Sequence, residues 1–214
     1  MSTLVKPSKP IPAEASAVHH LIDADFAGAP ALGDAIQQFR RGERLFYVAH
    51  HAVFESGFLN PLLLDDTGAT PTWICTFKCA LRAWPELQRH TNQFLRYHLG
   101  LFTPFNYSRA ELTAHRALPD AIVTAAIFLK LMEVMSWSDM LRFSAEPALY
   151  TKFHFGKHAG KLYSENLDYC EWILRQPDFD GDVRFSAEHA GRRSFSHSRK
   201  MRSSTPSTSR RRSE

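Results

Sequence analysis

The sequence predicts an α/β fold. Strand-like and helical segments alternate along the first 150 residues, the pattern of helices laid on a sheet. Apolar residues are 44% and aromatics 12% of the 214, enough to fill a core behind those elements.

Residues 1–15 carry Pro7, Pro10 and Pro12 and are expected to be extended, because proline lacks an N–H and clashes inside a helix. After Pro30 a short helical pattern covers Ala31 to Arg40. Residues 44–49 (RLFYVA) read as a buried strand, and residues 52–63 as a helix with Phe54, Phe58 and Leu62 at helical spacing. Trp73 to Thr76 is a short strand or an extended entry to a helix ending near Trp84-Pro85. Thr91 is placed to N-cap the next helix, which runs through Leu99 and stops at Gly100. A polar loop covers residues 103–114. Residues 119–135 form the strongest helix, with Pro119 suited to the first helical position. Such a tally holds too few strands for a self-sufficient sheet, so the helices should have faces that this stretch of chain does not cover.

The character changes near residue 150. YTKFHFGKHAGKLYSEN alternates aromatics around Gly156 and Gly160, as a small hairpin does, and two short helices follow, Asp168 to Arg175 and Asp182 to Ala190. The predicted organisation is a main domain over 1–145, a small α+β module over 150–190 and a tail over 192–214. Eight Lys or Arg, one acid and ten Ser or Thr fill that tail. With almost no apolar groups it cannot offset its ordering entropy and is expected to be disordered. The tail's +7 exceeds the whole chain's +4, leaving residues 1–191 at −3. Binding of nucleic acid through a basic body is therefore excluded; only the tail is basic.

Cys75, Cys79 and Cys170 are an odd number without secreted-scaffold spacing, and Cys75 and Cys79 lack a second pair to complete a zinc site. They read as reduced, partly buried thiols. MSTLVKPSKPIP has no apolar run behind its lysines and so lacks the form of a signal peptide. Ala121 to Met135 contains Lys130 and Glu133 and falls short of the ~20 apolar residues that span a bilayer. A cytoplasmic protein with no membrane association is expected.

Two stretches carry chemistry. AHHAVFE at 49–55 delivers Glu55 one turn into a helix, and HRALPD at 115–120 holds His115 and Asp120. A helix dipole favours an ionised Asp120 in the first turn. Residues five apart point about 140° out of register on a continuous helix, so His115 belongs to the loop before it. The plainer alternative makes Asp120 a helix cap, His115 a surface residue and Glu55 a solvated glutamate. The pairs His50-His51 and His19-His20 read as hydrogen-bonding, not metal-binding, residues. Asp23-Ala-Asp25 has the acid-x-acid spacing used to share metals but sits in a loop or helix start.

With those motifs placed, the chain resembles the exonuclease X-like branch of the DEDDh 3′–5′ exonucleases, relatives of the proofreading epsilon subunit. Five collinear blocks carry the resemblance: VKPSKPIPAEASAVHHLIDADF, FYVAHHAVFESGFL, WICTFKCALRAWPE with HTNQFLRYHLGL, HRALPDA, and FGKHAGKLYSEN on to Ala190. The second and fourth answer the family patterns A-H-N-A-x-F-D and H-x-x-x-x-D-A. The resemblance implies two divalent cations, Mg²⁺ or Mn²⁺, that activate water and align a phosphate. It makes Asp120 and Glu55 metal ligands and His115 the general base. Glu55 stands where the pattern has Asp, reaching about 1.5 Å further, and His51 stands where it has Asn. A first D-x-E motif finds no counterpart. The resemblance therefore implies a partial ribonuclease H-like fold lacking its first three strands, an N-terminally truncated member with impaired activity.

The expected partner is DNA, as single strands or 3′ ends, with Lys157, His158 and Lys161 of the hairpin as nucleic-acid-binding candidates. Two rival expectations remain. One is a non-catalytic nucleic-acid binder using the module and tail; the other is a fragment that pairs with a complementary polypeptide or with itself.

Overall fold

A computed structural model of the chain describes residues 3–37, 46–64 and 68–202. It divides into two compact units: Met1–Ala83 with Arg89–Glu146, and Trp84–Gln88 with Pro147–Glu214.

The larger unit is mixed α/β around a small parallel sheet. Strand β1 (Phe46–Ala49) pairs in parallel with β2 (Thr72–Cys75), Val48 opposite Ile74 and Ala49 opposite Cys75. Parallel strands need a crossover, and helix α3 (Ala52–Leu59) with a 3₁₀ turn over Asn60–Leu62 supplies it. Ahead of β1 lie α1 (Ala13–His19) and α2 (Leu32–Gln37). Pro12 serves α1 as N-cap, its carbonyl accepting the Ala15 and Ser16 N–H groups at 3.0 and 3.1 Å while no N–H is needed from it, so the Pro-rich stretch gives way to helix at Ala13, before residue 15. Expected strand residues Arg44 and Leu45, and residues 38–40 of the expected helix, lie outside the described residues.

After β2 come α4 (Thr76–Ala83), α5 (Asn92–His98), α6 (Ala117–Val134) and α7 (Trp137–Ala145). Thr91 caps α5, its Oγ1 accepting the Phe94 N–H, and Gly100 follows at φ +68°, where a side chain is strained. Helix α6 begins two residues before Pro119, which sits at the third helical position instead of the first; its missing N–H costs nothing anywhere in that turn. Sequence reasoning missed α7. Its signal was Ser136, whose Oγ accepts the Asp139 N–H at 3.1 Å. Ser144 of α7 also accepts the Cys75 N–H at 2.8 Å, finishing the end of β2.

Burial in this unit is one-sided. Ile74, Cys79, Leu95, Val123, Ile127 and Leu131 are fully buried between β2, α4, α5 and α6. The expected buried strand is buried only at Ala49: Phe46 is 48% exposed, resting edge-on against Trp137. On α3, Val53, Phe54 (68%) and Phe58 are exposed, as are Leu129, Met132 and Val134 on α6. The two strands among the described residues offer too little sheet to cover every helix face.

The smaller unit packs Phe153, Tyr163, Cys170, Ile173, Val183 and Ala187 into one cluster. Its hairpin is held by a bridge from Lys152 to Leu162 and by Phe153 N–H to Lys161 O at 3.0 Å. Helices α8 (Leu167–Arg175) and α9 (Gly181–Arg202) close it. Helix α9 runs past Ala190 to Arg202, into the segment expected to be disordered. Pro206 is the first proline after Pro177, and once a helix is nucleated by a buried face each further residue costs little. The rest of the tail, 203–214, lies outside the described residues. Cys75, Cys79 and Cys170 are free thiols and are fully, not partly, buried. Among the described residues no helix is long and apolar enough to cross a membrane.

Candidate active site

The turn between β1 and α3 is fixed by two histidines. His50 Nε2 lies 2.8 Å from the His90 carbonyl oxygen and its Nδ1 lies 2.9 Å from Thr76 Oγ1. A carbonyl only accepts, so Nε2 carries the proton and Nδ1 accepts from Thr76. Burial above all, with the neighbouring His51, lowers the imidazole pKa to about 4. His50 is thus a neutral hydrogen-bonded residue, as expected.

His51 takes φ +69° and caps α3 in the left-handed region, where Asn is better tolerated than other side chains. The His51 ring stacks on Phe77 with centroids 3.9 Å apart.

One turn on, Glu55 Oε2 is buried and has no hydrogen-bond partner. Burial raises its carboxyl above the ordinary glutamate range, opposed by a bond to its own backbone N–H. A solvated surface glutamate would leave no such orphan. An unpartnered buried carboxylate oxygen is what a hard divalent cation takes up.

Asp120 lies in the first turn of α6 and caps nothing with its side chain. Its Oδ1 accepts a 2.9 Å bond from Gln93 Nε2. Gln93 Oε1 in turn accepts from Arg96 Nη1 at 3.3 Å. Asn92 Nδ2 reaches the Asp120 carbonyl at 3.3 Å and Thr124 Oγ1 at 2.7 Å. Arg96 is 2% exposed and donates to Leu112 O at 2.7 Å. Helix α5 therefore orients Asp120 through amides backed by a buried guanidinium. Sequence reasoning missed Asn92, Gln93 and Arg96; only the packing of α5 on α6 reveals them.

His115 sits in the loop before α6, exposed, at φ +64°. Left-handed backbone is costly for a non-glycine and collects at functional sites. Asp23 and Asp25 turn out to be local ties. Asp23 Oδ1 accepts the Ile11 N–H at 3.0 Å and Asp25 Oδ2 the Ile22 N–H at 2.8 Å. Lys157, His158 and Lys161 lie in the smaller unit, around the hairpin turn.

Among the described residues no three His, Cys, Asp or Glu side chains gather closely enough to hold a metal ion. Glu55 and Asp120 suit a divalent cation individually, one by its orphaned oxygen and the other by its oriented carboxylate.

The Exonuclease (RNase_T) family model matches residues 1–128. Exodeoxyribonuclease 10 of Escherichia coli K12 is 32% identical over 198 residues, covering 88% of this chain and 83% of that protein. The DNA polymerase III epsilon subunit of Aquifex aeolicus is 28% identical over 137 residues, covering 62% of this chain and 63% of that protein. The solved structure of exonuclease X in complex with 5′ overhanging duplex DNA superposes with a TM-score of 0.53 at 31% identity, covering 68% of this chain and 81% of that one. The resemblance to the exonuclease X branch is borne out, and members of the wider family work with divalent metal ions. On the strength of the family match and the 32% identical relative, this chain belongs to the exonuclease family.

Proposed function

We propose that this protein belongs to the metal-dependent 3′–5′ exonucleases acting on DNA ends, on a partial ribonuclease H-like sheet, with impaired catalysis in the 214-residue chain. The observation that carries the metal assignment is the buried, unpartnered Oε2 of Glu55. Glu55 and Asp120 would hold Mg²⁺ or Mn²⁺; bound there, the cations supply water activation and charge neutralisation at the phosphate. Glu55 presents an oxygen already stripped of water. Gln93 fixes the Asp120 carboxylate, so little reorganisation is needed on binding. His115, on its exposed loop, removes a proton from the attacking water through an imidazole nitrogen. DNA as substrate follows the DNA-bound exonuclease X and the exodeoxyribonuclease relative. Free thiols suit a reducing, cytoplasmic setting.

Impairment follows from ligand count. Two-metal phosphoryl chemistry clamps ions about 3.5–4 Å apart, and Glu55 with Asp120 cannot fix two such ions without a first-strand acid pair. The test is a 3′-labelled oligonucleotide assay with Mn²⁺. It compares the 214-residue chain, His115→Ala, and a chain extended by a segment carrying D-x-E. Little digestion by the first two and activity in the third is expected. Robust digestion by the 214-residue chain, lost in His115→Ala, would overturn the impairment.

A second reading, association with a complementary polypeptide or a second copy, is favoured by exposed Val53, Phe54 and Phe58 on α3. Sedimentation should then shift with concentration, and Phe54→Glu should remove the shift.

A further inference from the structure

Within the smaller unit, an open cleft of about 590 Å³ is walled by Lys157, His158, Glu165, Asp168, Tyr169 and Trp172, among others. That volume lies within the range of small-ligand sites. Tyr169 and Trp172 are three apart on α8, so their rings share a face. They stack with centroids 5.3 Å apart and planes 10° apart. His158 also stacks on Tyr169, at 4.2 Å and 15°, its Nδ1 3.1 Å from Asn166 Oδ1. Phe179 sets its ring at 76° to the indole, 5.6 Å away. Tyr169 thus stacks with two nearly parallel rings, one of them Trp172, which is 46% exposed.

An indole oriented by neighbours yet open to solvent beside a cleft costs apolar exposure that simple packing would have avoided. The charges say what it could take. Lys157, Glu165 and Asp168 all line the cleft, one cation against two acids, so the site has no surplus of positive charge to cradle a phosphate. A flat uncharged ring bearing N–H donors suits both the stacked faces and the two acceptor carboxylates. Lys161, exposed on the hairpin and outside the cleft lining, is left for the backbone that carries such a ring.

We propose that this cleft is a single-strand binding site in which an unpaired nucleobase stacks on Trp172. It rests on the reading of the protein as a nucleic-acid enzyme and adds a second contact, in the other unit, for the unpaired part of a strand. Stacking platforms tolerate any sequence and depend on the bases more than on phosphates. The basic C-terminal segment would bind phosphates instead, with a steep salt dependence.

The test uses the full chain in EDTA and a fluorescein-labelled deoxyadenylate oligonucleotide, read by anisotropy at high salt, where exposed charges are screened. Trp172→Ala should weaken binding about tenfold or more, and Trp172→Phe should keep most of it. An abasic strand of equal length should bind weakly. Circular dichroism confirms that the variants are folded. Parent-like affinity in Trp172→Ala, equal affinity for the abasic strand, or no high-salt binding at all would overturn the site. Asp120→Ala in the D-x-E-extended chain, read by digestion, separately tests the nuclease reading, so either can fail while the other stands.

Discussion

Gln93 Nε2 donates a 2.9 Å hydrogen bond to Asp120 Oδ1, tying helix α5 to the carboxylate that heads α6. A group that orients a metal ligand typically changes metal affinity 10–100-fold when lost. Gln93→Ala should therefore weaken Mn²⁺ binding by roughly tenfold, measured by calorimetry, while Gln93→Glu, which exchanges the donor for a second acid, should also alter its pH dependence. Equal affinity in parent and Gln93→Ala would detach Asp120 from the metal.

Arg96 is the buried support of that pair. It donates to the carbonyls of Leu112 and Leu101, at 2.7 Å and 3.4 Å, as well as to Gln93. Arg96→Met keeps much of the volume but strands these acceptors, each costing about 1–3 kcal/mol when buried and unpaired. Urea unfolding should show a loss of at least about 2 kcal/mol, with Asp120→Ala much milder.

His50 makes stability fall in mild acid. Its pKa is about 4 in the folded chain against 6.5 for an ordinary histidine, so the unfolded state binds more protons between those values. Stability from this group is complete above pH 6.5 and is lost as pH falls towards about 4, by up to about 3 kcal/mol. His50→Asn should be less stable at neutral pH. The gap to the parent should narrow steadily through that window in pH-dependent denaturation.

His115→Gly should separate stability from activity. The left-handed backbone at φ +64° costs a side-chain-bearing residue roughly 1–2 kcal/mol, and glycine returns part of this through its larger unfolded-state entropy. A net gain of about 0.5 kcal/mol is expected in thermal unfolding. Any digestion by a D-x-E-extended chain should disappear. A destabilised His115→Gly would mean the imidazole makes structural contacts in solution.

The thiols should be inert in the native state. Cys79 is fully buried, and burial pushes its thiol up to about 11, while Cys170 is raised by the same cause. A thiolate is the reactive form, so a thiol-specific chromogenic reagent should react with none of the three until denaturant is added.

The sequence by itself determined what is local. Helix limits at Thr91 and Gly100, the loop before α6 and the β1–α3–β2 alternation follow from caps, breakers and periodicity, because those forces act between near neighbours along the chain. The family was legible too, since five blocks in one order leave few other assignments. Only the tertiary structure decided the rest. That Glu55 Oε2 is orphaned, that Gln93 holds Asp120 across 27 residues of chain, and that Tyr169 stacks with both His158 and Trp172 depend on which helix faces meet. Side-chain pairs brought together by packing leave no period in the sequence, and burial of a single oxygen is a property of everything around it.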